Sequence, residues 1–190
     1  MALRHNHYEA AFEAYLRFRR IPYIAVDEAK RSFVEEGSLK SVDFLVSVLG
    51  GDNFLVDVKG RRYPTTEKGN RWDIWVTAVD VDSLLAWEEV FGSSHRGLFV
   101  FAYDVAETHL EDFEALFQFR DREYAFFGVV ACDYRAVMTQ RSPRWNTVSV
   151  ARRPFAALRF PIDELITSRR TDSAASDPDR SPANADEVPF

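Results

Sequence analysis

A turn-rich segment, Gly50-Gly51-Asp52-Asn53, separates two short apolar stretches, and this pattern constrains the fold more than any other feature of the sequence. Residues 41–49 and 54–60 are rich in Val, Leu and Phe, which favour strands. Gly, Asp and Asn favour the tight turn between them. The pattern therefore predicts a β-hairpin in the first third of the chain.

Helical and strand patterns on both sides of the hairpin predict a mixed α/β fold. Residues 7–20 place apolar side chains at steps of three and four, which indicates an amphipathic helix capped by Asn6 and ended by Pro22. The same criteria predict a strand at 22–26, a loop at 61–71, a strand at 72–77, a helix from Asp80 or Asp82 to Phe91 ended by Gly92, a strand at 97–103, a helix at 111–120, a strand at 124–131, a short helix from Asp133 to Thr139, and one or two small elements in 145–165. This order indicates an α/β sandwich.

The chain of 190 residues suits one domain, which we place at residues 1–167. Residues 168–190 are dominated by Asp, Ser, Ala, Pro and Arg, so we expect a disordered polar tail there. No apolar run is long enough to span a membrane, and the N-terminus lacks the apolar stretch of a secretory signal. Cys132 is the only cysteine, which excludes an intrachain disulfide; a cytoplasmic location follows as the expectation.

Charge gives a divided prediction about partners. The formal net charge of −6 argues against nucleic acid as a partner. Residues 1–71, however, carry 12 Lys and Arg against 10 Asp and Glu, so the half with the hairpin is mildly basic. That asymmetry permits contacts with phosphates but does not establish them.

The hairpin carries the residues with the clearest chemical potential. Asp57 and Lys59 are two positions apart on one predicted strand, so their side chains share a face. Asp43 interrupts the apolar run of the partner strand, and it lies on the same face if the loop has an odd length or a bulge. The sequence therefore predicts two carboxylates and one ammonium group above one sheet.

This combination suits hydrolysis of a phosphodiester. Mg²⁺ prefers oxygen ligands and keeps several waters, so one or two carboxylates and a phosphate oxygen hold it. A neighbouring lysine orients the attacking water and stabilises developing negative charge. The alternative is an ion pair between Asp57 and Lys59 at a strand end, and the residues alone favour neither interpretation.

Glu9 is a further candidate because it lies on the first predicted helix. If that helix packs on the hairpin, Glu9 reaches the metal directly or through water. The alternative is that Glu9 belongs to a capping box with Asn6.

The order of these motifs resembles the PD-(D/E)XK nuclease superfamily, particularly the Holliday-junction-resolvase-like proteins. The resemblance rests on Glu9 followed by Tyr15-Leu16, on Val42-Asp43, and on Val56-Asp57-Val58-Lys59 with Arg61 or Arg62 behind it. Residues 7–13 also match the motif that names the uncharacterised bacterial HYExAFE proteins. Phe12 replaces an alanine of the family's helix pattern. No Gln occurs between Gly60 and Phe117, where many members carry a functional one.

The resemblance implies a restriction-endonuclease-like core with a central mixed β-sheet flanked by helices. It implies Asp43 and Asp57 as ligands of Mg²⁺ or Mn²⁺, Lys59 as the catalytic lysine and Glu9 as a supporting acid and metal ligand. We expect Lys40, Arg61 and Arg62 to contact nucleic acid, with a solvated surface as the alternative. Related resolvases act as dimers, which makes a homodimer the analogous assembly.

The sequence thus predicts a metal-dependent endonuclease that hydrolyses nucleic acid, with DNA as the expected substrate. The alternative is an inactive nucleic-acid-binding or protein-interaction module on the same fold.

Two further interpretations concern aromatic and sulfur side chains. Trp72, Trp75, Trp87 and Trp145 are expected in the core, with base stacking as the alternative, and Cys132 is expected to be a buried thiol.

Overall fold

The computed structural model describes residues 6–26, 32–34, 37–48, 53–66 and 72–167. The predicted tail at 168–190 lies outside these residues. The helices are α1 His7–Phe18, α2 Ala78–Phe91, α3 Ala131–Val137, α4 Arg152–Leu158, α5 Ile162–Thr167 and a 3-10 helix at Glu107–Asp112. The strands are β1 Tyr23–Ala25, β2 Ser32–Val34, β3 Gly37–Leu39, β4 Phe44–Ser47, β5 Asn53–Tyr63, β6 Val76–Thr77, β7 His95–Val105, β8 Phe117–Phe119, β9 Arg122–Val130, β10 Thr139–Ser142, β11 Thr147–Ser149 and β12 Phe160–Pro161.

A mixed sheet of seven strands forms the centre of the molecule, in the order β1-β4-β5-β7-β9-β12, with β8 also paired to β9. β5 is antiparallel to β4 and parallel to β7, and α2 lies in the connection between the two parallel strands. A parallel pair requires such a crossover. β10, β11 and β6 form a separate small sheet.

Helices cover both faces of the central sheet. One core contains Phe12 and Leu16 of α1 with Val56 and Val58 of β5. The other contains Leu84 of α2 together with the aromatic side chains of β7 and of α3 and α4. Because both faces are covered, β5 is buried along most of its length. The predicted α/β architecture, with a flanked central mixed sheet, is confirmed.

The predicted hairpin is confirmed as β4 and β5. Ser47 pairs with Asn53, so the intervening segment 48–52 has an odd length. Two boundaries differ from the prediction. β5 continues to Tyr63, so Arg61 and Arg62 belong to a strand and not to a loop. The predicted strand at 72–77 is reduced to Val76–Thr77.

The predicted helix at 111–120 is wrong. This segment contains the end of the 3-10 helix and the strand β8, which forms a hairpin with β9. Its apolar residues fit a helix and a strand equally well at this length, and pairing with β9 decides between them. The N-cap of α2 is also corrected: it is Thr77, not Asp80 or Asp82. Asp133 lies inside α3, whose N-cap is Val130.

Among the described residues, no helix combines the length and apolar character needed to cross a membrane. Cys132 is exposed in the first turn of α3, so the prediction of a buried thiol is wrong. Trp72 and Trp87 pack against the core as predicted, whereas Trp145 is 68% exposed.

Candidate active site

Asp57 and Lys59 form a buried ion pair on β5. Their side chains project from alternate positions of the strand, and Lys59 Nζ lies 2.7 Å from Asp57 Oδ2. Asp57 is 5% exposed and Lys59 is 8% exposed. Burying charges at this depth is costly unless every charge has partners. The pair therefore requires further polar neighbours, which other elements supply.

The second carboxylate at Lys59 comes from α2. Lys59 Nζ lies 3.0 Å from Asp80 Oδ2. Asp80 is the third residue of α2, where it accepts a hydrogen bond from the Thr77 backbone N–H at 2.9 Å, and Thr77 Oγ1 accepts one from the Asp80 backbone N–H at 3.1 Å. This capping box fixes the first turn of the helix and directs the Asp80 carboxylate at the lysine. The sequence alone predicted Asp80 only as a capping residue. The spacing Thr77-x-x-Asp80 is typical of a capping box and could have placed Asp80 in the first turn of α2.

Lys40 completes a cluster of four charges. Its Nζ lies 2.7 Å from Asp80 Oδ1 and 3.7 Å from Asp57 Oδ2. The α2 helix also holds the Lys40 backbone, because Trp87 Nε1 donates to its carbonyl at 2.9 Å and Ser83 Oγ accepts from its N–H at 3.2 Å. The Lys40 side chain remains 41% exposed. Lys40 is thus both part of the cluster and its most accessible cation.

The surroundings separate the two carboxyls by their pKa values. Burial raises the pKa of the Asp57 carboxyl, and the ammonium groups of Lys59 and Lys40 oppose that shift without cancelling it. Burial also disfavours a charged Asp80, but Lys59, Lys40 and the hydrogen bonds from Lys40 and Thr77 outweigh it and hold the pKa of Asp80 well below its usual range. Asp57 is therefore the carboxyl of the two that binds a proton more readily.

Asp43 directly precedes β4. Its backbone N–H donates to the Val56 carbonyl at 2.8 Å, although Phe44 is the residue paired with Val56, so the regular register of β4 and β5 does not extend to Asp43. Asp43 is 3% exposed, and its Oδ2 accepts a hydrogen bond from the Val58 N–H at 2.6 Å. The carboxylate thus provides the acceptor for Val58 that the backbone of β4 no longer supplies. Asp43 has a structural role in the hairpin in addition to its predicted chemical one.

Glu9 is buried on α1, which packs against the face of β5 that carries Val56 and Val58. Asn6 caps α1 and donates from Nδ2 to Glu9 Oε1 at 2.5 Å. Asp57 and Lys59 meet Asp80 of α2, which packs on the other face. Glu9 is therefore separated by the sheet from the helix that completes the charge cluster.

Arg61 and Arg62 occupy different surroundings. The Arg61 side chain is 12% exposed; it donates to the Gly60 carbonyl at 2.7 Å and to the Trp75 carbonyl, and it lies 3.6 Å from Asp73. Arg62 is exposed. Arg61 thus positions the segment before α2, and of the two only Arg62 is displayed on the surface.

The donor chemistry of the cluster fits a hard divalent cation. Asp57 and Asp80 bring carboxylate oxygens to the same lysine, and the Asp43 carboxylate contacts the backbone N–H of Val58, between Asp57 and Lys59. Two carboxylates and a phosphate oxygen are sufficient for Mg²⁺, which keeps water in its remaining positions. In the described part of the chain, no group of three or more His, Cys, Asp or Glu side chains is gathered closely enough to hold a metal by itself.

Comparison with known proteins identifies a solved structure with a similar fold. No protein-family model matches the chain, and no curated protein sequence matches it. Among solved structures, the chain is similar to a Holliday junction resolvase from the archaeal hyperthermophile Archaeoglobus fulgidus, with a TM-score of 0.50 and 13% sequence identity. The match covers 84% of this chain and 97% of the resolvase. At this identity the likeness establishes the fold, and the predicted restriction-endonuclease-like, resolvase-type architecture is confirmed.

Proposed function

We propose that this protein is a metal-dependent endonuclease that hydrolyses phosphodiester bonds, with DNA as its substrate. The observation that carries the proposal is the buried Asp57–Lys59 pair on the central strand of a resolvase-type sheet, with the Asp43 carboxylate bonded to the N–H of Val58 between them. A fold whose stability alone were at stake would gain more from apolar side chains at these buried positions.

Asp57 and Asp43 are the proposed ligands of Mg²⁺ or Mn²⁺, which when bound polarises the phosphoryl group and lowers the pKa of a coordinated water. Lys59 orients the attacking water and stabilises charge that develops on the phosphate. Asp80 holds the Lys59 ammonium in place from α2. Lys40 and Arg62, which are accessible, are the proposed contacts with phosphates of the substrate.

Other parts of the sequence interpretation stay predictions within this proposal. Glu9 is retained as a supporting acid and third ligand, which requires it to act from the side of the sheet opposite to α2. Arg61 is the weakest of the predicted nucleic-acid contacts, because its guanidinium is already bound to backbone carbonyls. Membership in the HYExAFE family, a homodimeric assembly and a cytoplasmic location also belong here.

The test is a cleavage assay in Mg²⁺, in Mn²⁺ and with a chelator, on supercoiled, single-stranded and four-way-junction DNA and on RNA. The wild type should cut DNA only with metal. Asp57→Asn and Lys59→Ala should each lose about 100-fold or more in rate, since each removes a group that acts on the reacting phosphate.

Asp82→Asn is the matched control, because Asp82 is an exposed acid on the same helix as Asp80. It should cleave like the wild type. Full metal-dependent activity in Asp57→Asn or Lys59→Ala would contradict the assignment of the site. Circular dichroism of each variant separates lost chemistry from lost folding.

A second candidate is a nucleic-acid-binding or protein-interaction module without turnover. It is favoured by the neutralisation of Asp57 and Asp80 by two lysines, since a metal has to compete with those ammonium groups for the carboxylates. Residues 72–166, with 9 Lys and Arg against 15 Asp and Glu, are acidic enough to suit a protein partner. This candidate predicts no cleavage in either metal, with salt-sensitive binding of nucleic acid or specific binding of a protein instead.

A further inference from the structure

A groove lined by tryptophan and arginine lies at the N-cap of α2 and has no part in the function proposed above. Its volume is about 480 Å³. We call it the tryptophan–arginine groove; its lining residues are Trp75, Thr77, Arg141, Ser142, Trp145 and Thr147.

The groove presents aromatic and cationic surface to solvent. Trp145 is 68% exposed, with the Arg144 guanidinium 5.3 Å from its ring centre. The Arg141 guanidinium lies 5.2 Å from the ring of Trp75. Within the residues that the structure describes, no ion pair joins Arg141 or Arg144 to a carboxylate. Two available positive charges beside an exposed tryptophan indicate a site for an anionic, aromatic ligand.

The backbone around the groove is anchored to the helix that serves the charge cluster. β11 pairs with β6 through Thr147 and Thr77, and the Ala78 N–H donates to the Asn146 carbonyl at 2.9 Å. Thr77 and Ala78 are the N-cap and first residue of α2. The turn that carries Trp145 is therefore fixed to the start of the helix that positions Asp80.

Side chains also connect the groove to the cluster. The ring of Trp75 contacts the guanidinium groups of both Arg141 and Arg61. The Arg61 guanidinium lies 4.5 Å from the ring centre. Arg61 follows Lys59 at the next alternate position of β5, so both side chains project from the same face. Trp75 and Arg61 thus connect the groove to the strand that carries Lys59.

We propose that the tryptophan–arginine groove binds an unpaired nucleotide of the DNA substrate, with its base stacked on Trp145 and its phosphates beside Arg141 and Arg144. The inference rests on the proposed function and names the form of DNA that the site takes. Stacking requires a free π-face, which paired bases inside a duplex do not offer. The charge of the groove matches a phosphate backbone, although residues 72–166 as a whole are acidic.

The test measures binding without cleavage. Fluorescently labelled oligothymidine and a blunt duplex of equal length are titrated with the full chain at low salt in the presence of a chelator. Trp145→Ala should weaken binding of the single strand about tenfold and leave duplex binding nearly unchanged, because one stacked base is lost. Trp145→Phe should retain most of the affinity, because it keeps a ring for the base.

The charge contribution has its own matched pair of variants. Arg144→Gln should weaken binding of the single strand and reduce the salt dependence of that binding. Arg120→Gln is the control, because Arg120 is an exposed arginine whose guanidinium lies 5.0 Å from the ring of Phe119, and it should bind like the wild type.

Equal affinity of the wild type and Trp145→Ala for the single strand would overturn the inference. So would equal losses for single strand and duplex, or a Trp145→Ala variant that changes only self-association in sedimentation, which would make the groove an interface between copies. The proposed endonuclease function is tested separately by metal-dependent cleavage in the wild type. A protein that binds through Trp145 but does not cleave retains this inference and loses that function.

Discussion

The Asp80 carboxylate is the residue on which the buried charges of the site depend most. It accepts from Lys59 and Lys40 through different oxygens and also from the Thr77 backbone N–H. Lys59 is nearly inaccessible to water, so its charge is compensated only by Asp57 and Asp80 among the described residues. Removing either carboxylate leaves a buried ammonium group with half of its compensation.

Asp80→Asn should therefore destabilise the protein by on the order of 3 kcal/mol at neutral pH, as expected when one member of a buried ion-pair network is neutralised. The pKa of Asp80 is lowered in the folded state, so the folded chain binds fewer protons there than the unfolded chain. The stabilisation is then present above the unfolded pKa of about 3.9 and is lost as pH falls through the folded pKa. Urea unfolding at several pH values should show the gap between wild type and variant closing below about pH 4.

Asp82→Asn is again the comparison, because it removes the same charge from an exposed position of α2. It should change the free energy of unfolding little at any pH. A gap between wild type and Asp80→Asn that stayed constant down to strongly acidic pH would show that lost packing, and not lost charge, causes the effect.

Single residues also show how far the sequence could predict the site. Asp57 and Lys59 were predictable because two residues on one strand share a face whatever the rest of the chain does. Asp80 and Lys40 lie far from them in sequence and reach the same point only through the packing of α2. The charged residues of one strand can therefore be read from the sequence, whereas the residues that form ion pairs with them depend on tertiary structure.

At the scale of elements, the close approach of α1 to β5 depends on one glycine. A Cβ atom at Gly60 would lie 2.1 Å from Cδ2 of Tyr8 and 2.4 Å from its Cγ. Any side chain at this position therefore requires the Tyr8 ring to shift. The same turn is held by His7, whose Nδ1 lies 2.7 Å from the Tyr124 hydroxyl oxygen.

Gly60→Ala should destabilise the protein by about 1–3 kcal/mol, because the Tyr8 ring has to move to make room for the methyl group. The Gly60→Ala and Tyr8→Ala pair should be non-additive, with the second change relieving much of the cost of the first. Thermal or urea unfolding of the wild type, both single variants and the double variant gives the coupling energy. Simple additivity would contradict direct packing of the ring on the glycine.

The accuracy of the predicted elements follows the same division between local and tertiary information. α1 was predicted because its apolar periodicity extends over three turns, and the β4–β5 hairpin because Gly, Asp and Asn mark its turn. The segment of β8 was predicted as part of a helix, because a strand of three residues is too short to show the alternation of apolar and polar residues that marks a strand. Its pairing with β9 determines its conformation. β5 was predicted too short because Pro64, Gly69 and several charges in residues 61–71 indicated a loop, whereas pairing with β7 extends the strand to Tyr63.

For the whole molecule, the central question is how the proposed cation would share the site with two lysines. The cluster contains Asp57, Asp80, Lys59 and Lys40, which balance in charge without a metal. Asp43 and Glu9 are additional buried acids outside this cluster. The charges of the cluster are thus balanced without a cation. A metal that binds as proposed would have to displace an ammonium group from the carboxylates, and Lys40 is the more exposed of the two lysines.

Mg²⁺ should nevertheless raise the melting temperature, because only the folded chain brings the Asp43 carboxylate to the strand that carries Asp57. A ligand present at 100 times its Kd stabilises the folded state by about 2.7 kcal/mol, which corresponds to roughly 5–10 °C for a domain of this size. Differential scanning calorimetry with Mg²⁺ and with a chelator measures the shift. Asp57→Asn should abolish it, whereas Asp82→Asn should keep it. An equal shift in Asp57→Asn, or none in the wild type, would contradict Asp57 as a metal ligand, whatever the cleavage assay shows.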